Sequence, residues 1–233
     1  MLLRAILAAL RQIGSPPLRR ILWRSIGLTL LLLLFAWIAL TRGAGAFIEA
    51  HPISLDYPLL DGFVYVLTGA GLFLLLAYVM PAVSVLVASY FIDDAALVVE
   101  RTDFPHDPPG QALSLGTSLI AGLRFAGLSL VLNLFALILL FIPGINVAAF
   151  FAANTYLFGR EYFEMAAARF HPPAEAARLR RENSGTVLAA GAVIAAFVLI
   201  PIVNLATPLF GIALMVHVHK AVAARASRAV RGA

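Results

Sequence analysis

The chain contains no cysteine. Disulfide bonding, thiolate catalysis and cysteine-ligated metal sites are therefore excluded. Charge is scarce as well: only 12% of the 233 residues are Asp, Glu, Lys or Arg, against 62% hydrophobic residues and a mean hydropathy of +0.95. A soluble globular domain carries about twice that share of charge, so this composition describes an integral membrane protein. The absences continue at the level of motifs. There is no phosphate-binding Gly-Lys-Ser/Thr loop, no His-Glu-x-x-His cluster and no nucleophile–base pair, which argues against an enzyme, and neither a cofactor nor a metal ion is expected. The formal charge of +5 and the pI near 10.1 could suggest nucleic acid. However, the basic residues gather at the ends of apolar segments, as topology signals do, so anionic lipid and anionic substrate are the expected partners.

Two stretches between Arg124 and Arg160, and between Glu182 and Lys220, run 35 and 37 residues without a formal charge. Each carries one copy of the pattern Ile-Pro-x-(Ile/Val)-Asn near its middle: Ile142 to Asn146 and Ile200 to Asn204. Proline removes a backbone donor and clashes with the preceding turn, so Pro143 with Gly144, and Pro201, are expected to break each stretch into two helices. Asn146 and Asn204 are placed to cap the second helix of each pair. The half-helices, about 15–18 residues or roughly 22–27 Å, fall short of the about 20 residues a span requires. The reading is two helical hairpins, 117–169 and 184–222, that enter the membrane, turn inside it and leave on the side they entered. Ordinary short spans joined by a tight turn are the alternative.

In chain order, Leu3, Ile6, Leu7, Leu10 and Ile13 recur at helical spacing, with Arg4, Arg11 and Gln12 on other faces. This predicts a short amphipathic helix at the interface, stopped by Gly14-Ser15-Pro16-Pro17, so that 1–20 is a helix followed by a basic loop. A first span occupies 21–42; a cleaved signal peptide, suggested by Ala44-Gly45-Ala46, fits poorly with the long arginine-bearing start. Five basic residues precede this span, placing the N-terminus in the cytoplasm. A long second helix is expected over 60–102, with Pro81 kinking it and with Asp93, Asp94, Glu100 and Arg101 on a solvated face of its projecting end. Arg160-Glu161 marks where hairpin 117–169 leaves the membrane, either as a local ion pair in an interfacial belt or as the lining of a pathway. His217 and His219, two apart on a helix, make a poor metal pair.

Taken in order and spacing, these pieces resemble the CysZ-type sulfate permease family of bacterial inner membranes. The likeness is carried by Pro17-Leu18-Arg19-Arg20, the Phe141 to Ile145 segment, Arg160-Glu161-Tyr162-Phe163, and the Ile200 to Pro208 segment. It implies an all-α integral membrane protein with an interfacial N-terminal helix, two long transmembrane helices and two partly penetrating hairpins. It also implies a multi-pass inner-membrane chain with both termini cytoplasmic, assembled as a homo-oligomer, a hexamer being one such assembly. The expected function is uptake of sulfate or a related oxyanion for sulfur assimilation and cysteine synthesis, with sulfate held at Leu18, Arg19 and Arg20. Read physically, two arginines at a helix start suit a tetrahedral dianion. Asn133, Asn146, Asn154, Arg160, Glu161 and Asn204 are the candidates for lining the pathway. The alternatives are a membrane scaffold or assembly factor of the same fold, and a subfamily with a different anion.

Overall fold

The computed structural model describes residues 1–50, 58–112, 145–200 and 203–231, together with positions 116, 127 and 131. Every element among them is helical: α1 (Leu2–Ile13), α2 (Pro16–Ala50), α3 (Pro58–Asp103), α4 (Ile145–Ala168), α5 (Pro173–Glu182), α6 (Ser184–Val198), a 3₁₀ turn (Val203–Ala206) and α7 (Thr207–Arg231). Pro143, Gly144, Pro201 and Asn133 lie outside the described residues. Two compact units are present, one formed by 23–88 and the other by 1–22 with 89–233.

The 23–88 unit comprises most of α2 and the first two thirds of α3. Its side chains are conspicuously uncovered: Trp23, Leu30, Phe35, Phe63, Val66 and Phe73 are each more than 60% exposed. Exposed apolar residues on this scale have no place in water. Among the described residues two helices are long and apolar enough to cross a membrane, Pro16–Gly43 and Val203–Ala226. Helix α3 continues through Pro81 to Asp103 without ending there.

The other unit is built around α7. From Leu209 to Val218 this helix is buried nearly all round, with Phe210, Leu214, Met215 and Val216 fully covered. A helix apolar on every side belongs at the centre of its fold. Helices α1, α4 and α6 pack on it, and α4 and α6 make the closest pairing. Glycine explains that closeness. A Cβ at Gly159 would stand 2.9 Å from the Val187 carbonyl oxygen, and one at Gly191 would fall on Thr155 O and the Gly159 backbone. Small residues let the two backbones meet directly, a common device between membrane helices.

The second Ile-Pro motif does interrupt the chain: α6 stops at Val198, and α7 begins only after the 3₁₀ turn. The break presents Leu199, Ile200 and Leu205, each more than half exposed, so its surface is apolar. Pro208 sits at the second position of α7, where its missing N–H would have been unpaired in any case. The expected asparagine caps are not formed as the sequence suggested. The Asn204 side-chain oxygen accepts from the Thr207 hydroxyl (3.2 Å), because a 3₁₀ turn intervenes between it and the helix start. Ile145 and Asn146 are both already helical, so Asn146 does not occupy the flanking cap position. Helices α4 and α7, at 24 and 25 residues, also exceed the anticipated half-helix length. They continue past the apolar stretch into charged sequence, where Glu164 of α4 pairs with Arg160 and Arg180, and Lys220 of α7 with Asp107. Among the described arms of the two hairpins, α6, at 15 residues, is the short one.

Candidate functional site

Three groups of polar side chains stand out in the α7-centred unit. The first is the basic turn between α1 and α2. No loop follows α1: after Gly14 and Ser15 the chain re-enters helix at Pro16, so Leu18, Arg19 and Arg20 belong to the opening turn of α2. This departs from the expected basic loop, and the reason is local. Proline stops a helix that arrives from its N-terminal side but suits the first positions of the next one, with φ already set. Ser15 N–H donates to Gln12 O at 2.9 Å, and Arg19 N–H donates to Ser15 O at 3.0 Å. Pro16 and Pro17 carry no N–H, so Leu18 supplies the first backbone donor of the helix. Leu18 and Ile21, three apart, are buried, while Arg19 and Arg20 between them are exposed. Two apolar anchors thus hold two guanidinium groups outward at a helix N-terminus, where the backbone partial charge is also positive.

The second group centres on Arg169, which follows α4 directly. Its side chain is 2% exposed, and so is that of Glu100. Arg169 Nε donates to Glu100 Oε1 at 2.7 Å, and Nη2 reaches Oε2 at 3.3 Å, a two-pronged pairing. Nη1 pairs with the Asp93 carboxylate, and Nη2 also points to the Gly110 carbonyl at 3.4 Å. The loop after α3 closes the arrangement: Gly110 N–H donates to Glu100 Oε2 at 2.9 Å and Gln111 N–H to Arg169 O at 2.8 Å. A Cβ at Gly110 would collide with the Arg169 side chain. Asp93 and Glu100, seven residues apart, share one face of α3. That face was expected to be solvated. It is covered, because an arginine 69 positions later in the chain arrives to pair with Glu100.

The third group joins the ends of α1, α3 and α7. Gln12 Nε2 donates to Asp103 Oδ2 at 2.7 Å, and His217 Nε2 lies 3.1 Å from the same oxygen. Lys220 pairs with Asp107 at 2.9 Å and stands 4.3 Å over the ring of Phe170. His219 stacks on Phe170 and meets Phe163 and His171 edge-on, with neither ring nitrogen hydrogen-bonded to the described residues. The two histidines therefore do separate jobs, as their spacing required. Among the described residues no group of three potential ligands could hold a metal ion.

Of the anticipated pathway residues, Asn133 lies outside the described residues, and Asn154, Arg160 and Asn204 have partners of their own. Asn154 Nδ2 donates back to Phe150 O of its own helix at 2.8 Å, and Asn204 is engaged with Thr207. The Asn146 side chain lies outside what the structure describes. Arg160 pairs with Glu164 (3.6 Å) and not with the adjacent Glu161, since neighbours on a helix face different directions while residues four apart align. Glu164 also accepts from Arg180 Nε at 2.7 Å, which ties α4 to α5. Tyr162 is buried, with its ring against Gly211.

A family model described as Sulfate transporter CysZ/Etoposide-induced protein 2.4 matches residues 5–208. The chain belongs to this family. It is a membrane protein of a transporter family, in keeping with its composition and with two helices long and apolar enough to cross a membrane. No curated protein matches the CysZ-family chain. The matched range takes in the basic turn, both Ile-Pro motifs and the Arg169 cluster, so the resemblance read from short motifs extends over nearly the whole length.

Proposed function

We propose that this chain is a permease for sulfate or a closely related oxyanion in the bacterial inner membrane, working by facilitated or channel-like flux and feeding cysteine synthesis. The observation that carries this reading is the family match over residues 5–208. The basic turn supports it chemically. Arg19 and Arg20 are exposed, backed by the buried Leu18 and Ile21, and two guanidinium groups can present several parallel donors to a tetrahedral dianion. Both termini are cytoplasmic in this proposal, and the working form is a homo-oligomer. Large uncovered apolar surface on the 23–88 unit favours a second protomer as well as lipid.

Sulfate binding to the purified protein tests the site, and radiolabelled sulfate flux into proteoliposomes tests the activity. Arg19→Ala with Arg20→Ala is expected to lower affinity by at least about 100-fold, since each lost charge-assisted bond is worth about 1.5–3 kcal/mol. Undiminished binding would move the site elsewhere. The same uncovered surface favours one rival reading, a membrane scaffold or assembly factor of the same fold. A scaffold would bind no sulfate and would co-purify with other membrane proteins; a subfamily with another cargo would transport a different anion with the same two arginines.

A further inference from the structure

Gln12 is out of place for stability alone. The buried stripe of α1 is Ala5, Ala9 and Gln12, spaced i, i+4 and i+7, and the helix packs on α7. The glutamine is 7% exposed at a position where methionine or leucine would be buried without polar atoms to satisfy. Its Nε2 donates to Asp103 Oδ2 at 2.7 Å, and its Oε1 has no partner among the described residues. Burying an amide with its acceptor left open is unfavourable. What the amide adds is direction. Two alanines make contacts that tolerate sliding and rolling, because apolar burial has no preferred geometry. A short hydrogen bond to a charged oxygen does have one.

Gln12 is also the residue from which the basic turn departs. Its backbone oxygen accepts from Ser15 N–H at 2.9 Å, and the Ser15 oxygen accepts from Arg19 N–H at 3.0 Å. Successive hydrogen bonds thus connect position 12 to position 19, with only Gly14 and Ser15 between the two helices. On the far side of the turn the buried Leu18 and Ile21 anchor the opening of α2, so Gln12 is the matching anchor on the near side. Asp103, at the end of α3, ties that anchor inward. The Oδ2 that takes the Gln12 amide stands 3.1 Å from His217 Nε2 on α7, the helix at the centre of this unit. We infer that Gln12 and Asp103 are positioning residues for the oxyanion site: they hold the α1–α2 turn in one orientation, so that the Arg19 and Arg20 guanidinium groups are aimed together before the anion arrives. The inference rests on the reading of Arg19 and Arg20 as that site. Donors set in advance spare the bound state the ordering of a mobile turn.

Gln12→Met separates this role from a structural one. Methionine keeps the length and the burial and lacks the hydrogen bond, while Asp103, its side chain 31% exposed, can take water in place of the amide. The purified full-length variant should melt at or above the parent's temperature. It should nevertheless bind sulfate about tenfold more weakly, the order of cost of re-ordering one freed backbone residue on binding. Gln12→Glu sets a carboxylate against Asp103 and should weaken sulfate at least as much. Adding Asp103→Asn to it restores the bond with donor and acceptor exchanged, since the new amide at position 103 can donate to the new carboxylate at position 12. Affinity should then return close to the parent's, and this exchange keeps the test decisive should Gln12→Met fail to fold. Unchanged sulfate affinity in Gln12→Met and Gln12→Glu, in a parent whose binding is lost with Arg19→Ala and Arg20→Ala, would overturn this inference and leave the site standing. So would a weakened Gln12→Glu that the exchange does not rescue. A parent that binds no sulfate would overturn the site itself, and this inference with it.

Discussion

Arg169 and Glu100 show what a single charge costs when its partner is taken away. Both side chains are almost completely withdrawn from solvent, and each accounts for much of the other's hydrogen bonding. Removing one partner of a buried pair leaves an uncompensated charge and costs about 3–5 kcal/mol, whereas replacing both with apolar residues can be nearly neutral. Arg169→Met alone is therefore expected to lower the melting temperature of the detergent-solubilised protein sharply. Arg169→Met with Glu100→Leu should recover part of that loss, though Asp93 and the Gly110 N–H still lose a partner. Equal losses in the single and double variants would show that the pairing is not what holds this region. His219 makes the opposite case. Both its ring nitrogens are buried with no partner among the described residues, and it packs among Phe163, Phe170 and His171. His219→Phe removes two polar atoms at a cost of about 1–3 kcal/mol each when unpaired, so the variant should match or exceed the parent in thermal stability. A clear drop in melting temperature would mean that the imidazole has a partner it needs. Neither residue's environment could be read from sequence. Asp93 and Glu100 fit a solvated helix face because nothing within reach along the chain could pair with them, and Arg169 stands in the sequence only as the last residue of the 117–169 hairpin.

At the scale of elements, proline and uncharged length were informative, while capping and precise helix ends were not. The interruption between α6 and α7 falls between Val198 and Val203, the stretch where the Ile200 to Asn204 motif lies, and a break there is what local proline sterics lead one to expect. Asn204 fails as a cap because the chain spends one 3₁₀ turn before α7, and that turn depends on how the two helices meet. Gly14-Ser15-Pro16-Pro17 does stop α1, at Ile13, but Pro16 also opens α2, where a basic loop was expected. Both roles obey the same steric rule, and only the position of the following helix distinguishes them. The meeting of α4 and α6 depends on Gly159 and Gly191, whose importance no periodicity exposes. Gly191→Val would push a branched side chain into Thr155 O and the Gly159 backbone, which are main-chain atoms and cannot rotate away. A loss of about 3 kcal/mol or more is expected, at the upper end of overpacking costs, with α4 and α6 forced apart. Gly185→Val is the control: it lies on the same helix with open space around it. Comparable melting temperatures for the two variants would rule out the close crossing.

For the molecule as a whole, the decisive question is where the α6–α7 break lies relative to the bilayer. Composition alone placed the chain in a membrane, and the family match agrees. The depth of this break depends on energetics the chain makes visible. Leu199, Ile200 and Leu205 are exposed there, and transferring each from water to hydrocarbon favours insertion by about 1.5–3 kcal/mol. Asn204, exposed among them, has its side-chain oxygen occupied by the Thr207 hydroxyl, which reduces the penalty of taking it into lipid. Arg178 and Glu182 on α5 are exposed and lie just ahead of α6, the charged end to compare with the break. Single cysteines at these positions need no background substitution, because the parent chain has none. If the break is lodged within the lipid, Asn204→Cys should resist a membrane-impermeant maleimide applied from either side, yet react with a membrane-permeant one. Glu182→Cys should react with the impermeant reagent from the cytoplasmic side alone. Ready modification of Asn204→Cys from the periplasm would make α6 and α7 an ordinary pair of spans. The 15 residues of α6, roughly 22 Å long, would then have to cross a core of about 30 Å, possible only where the bilayer thins to meet it.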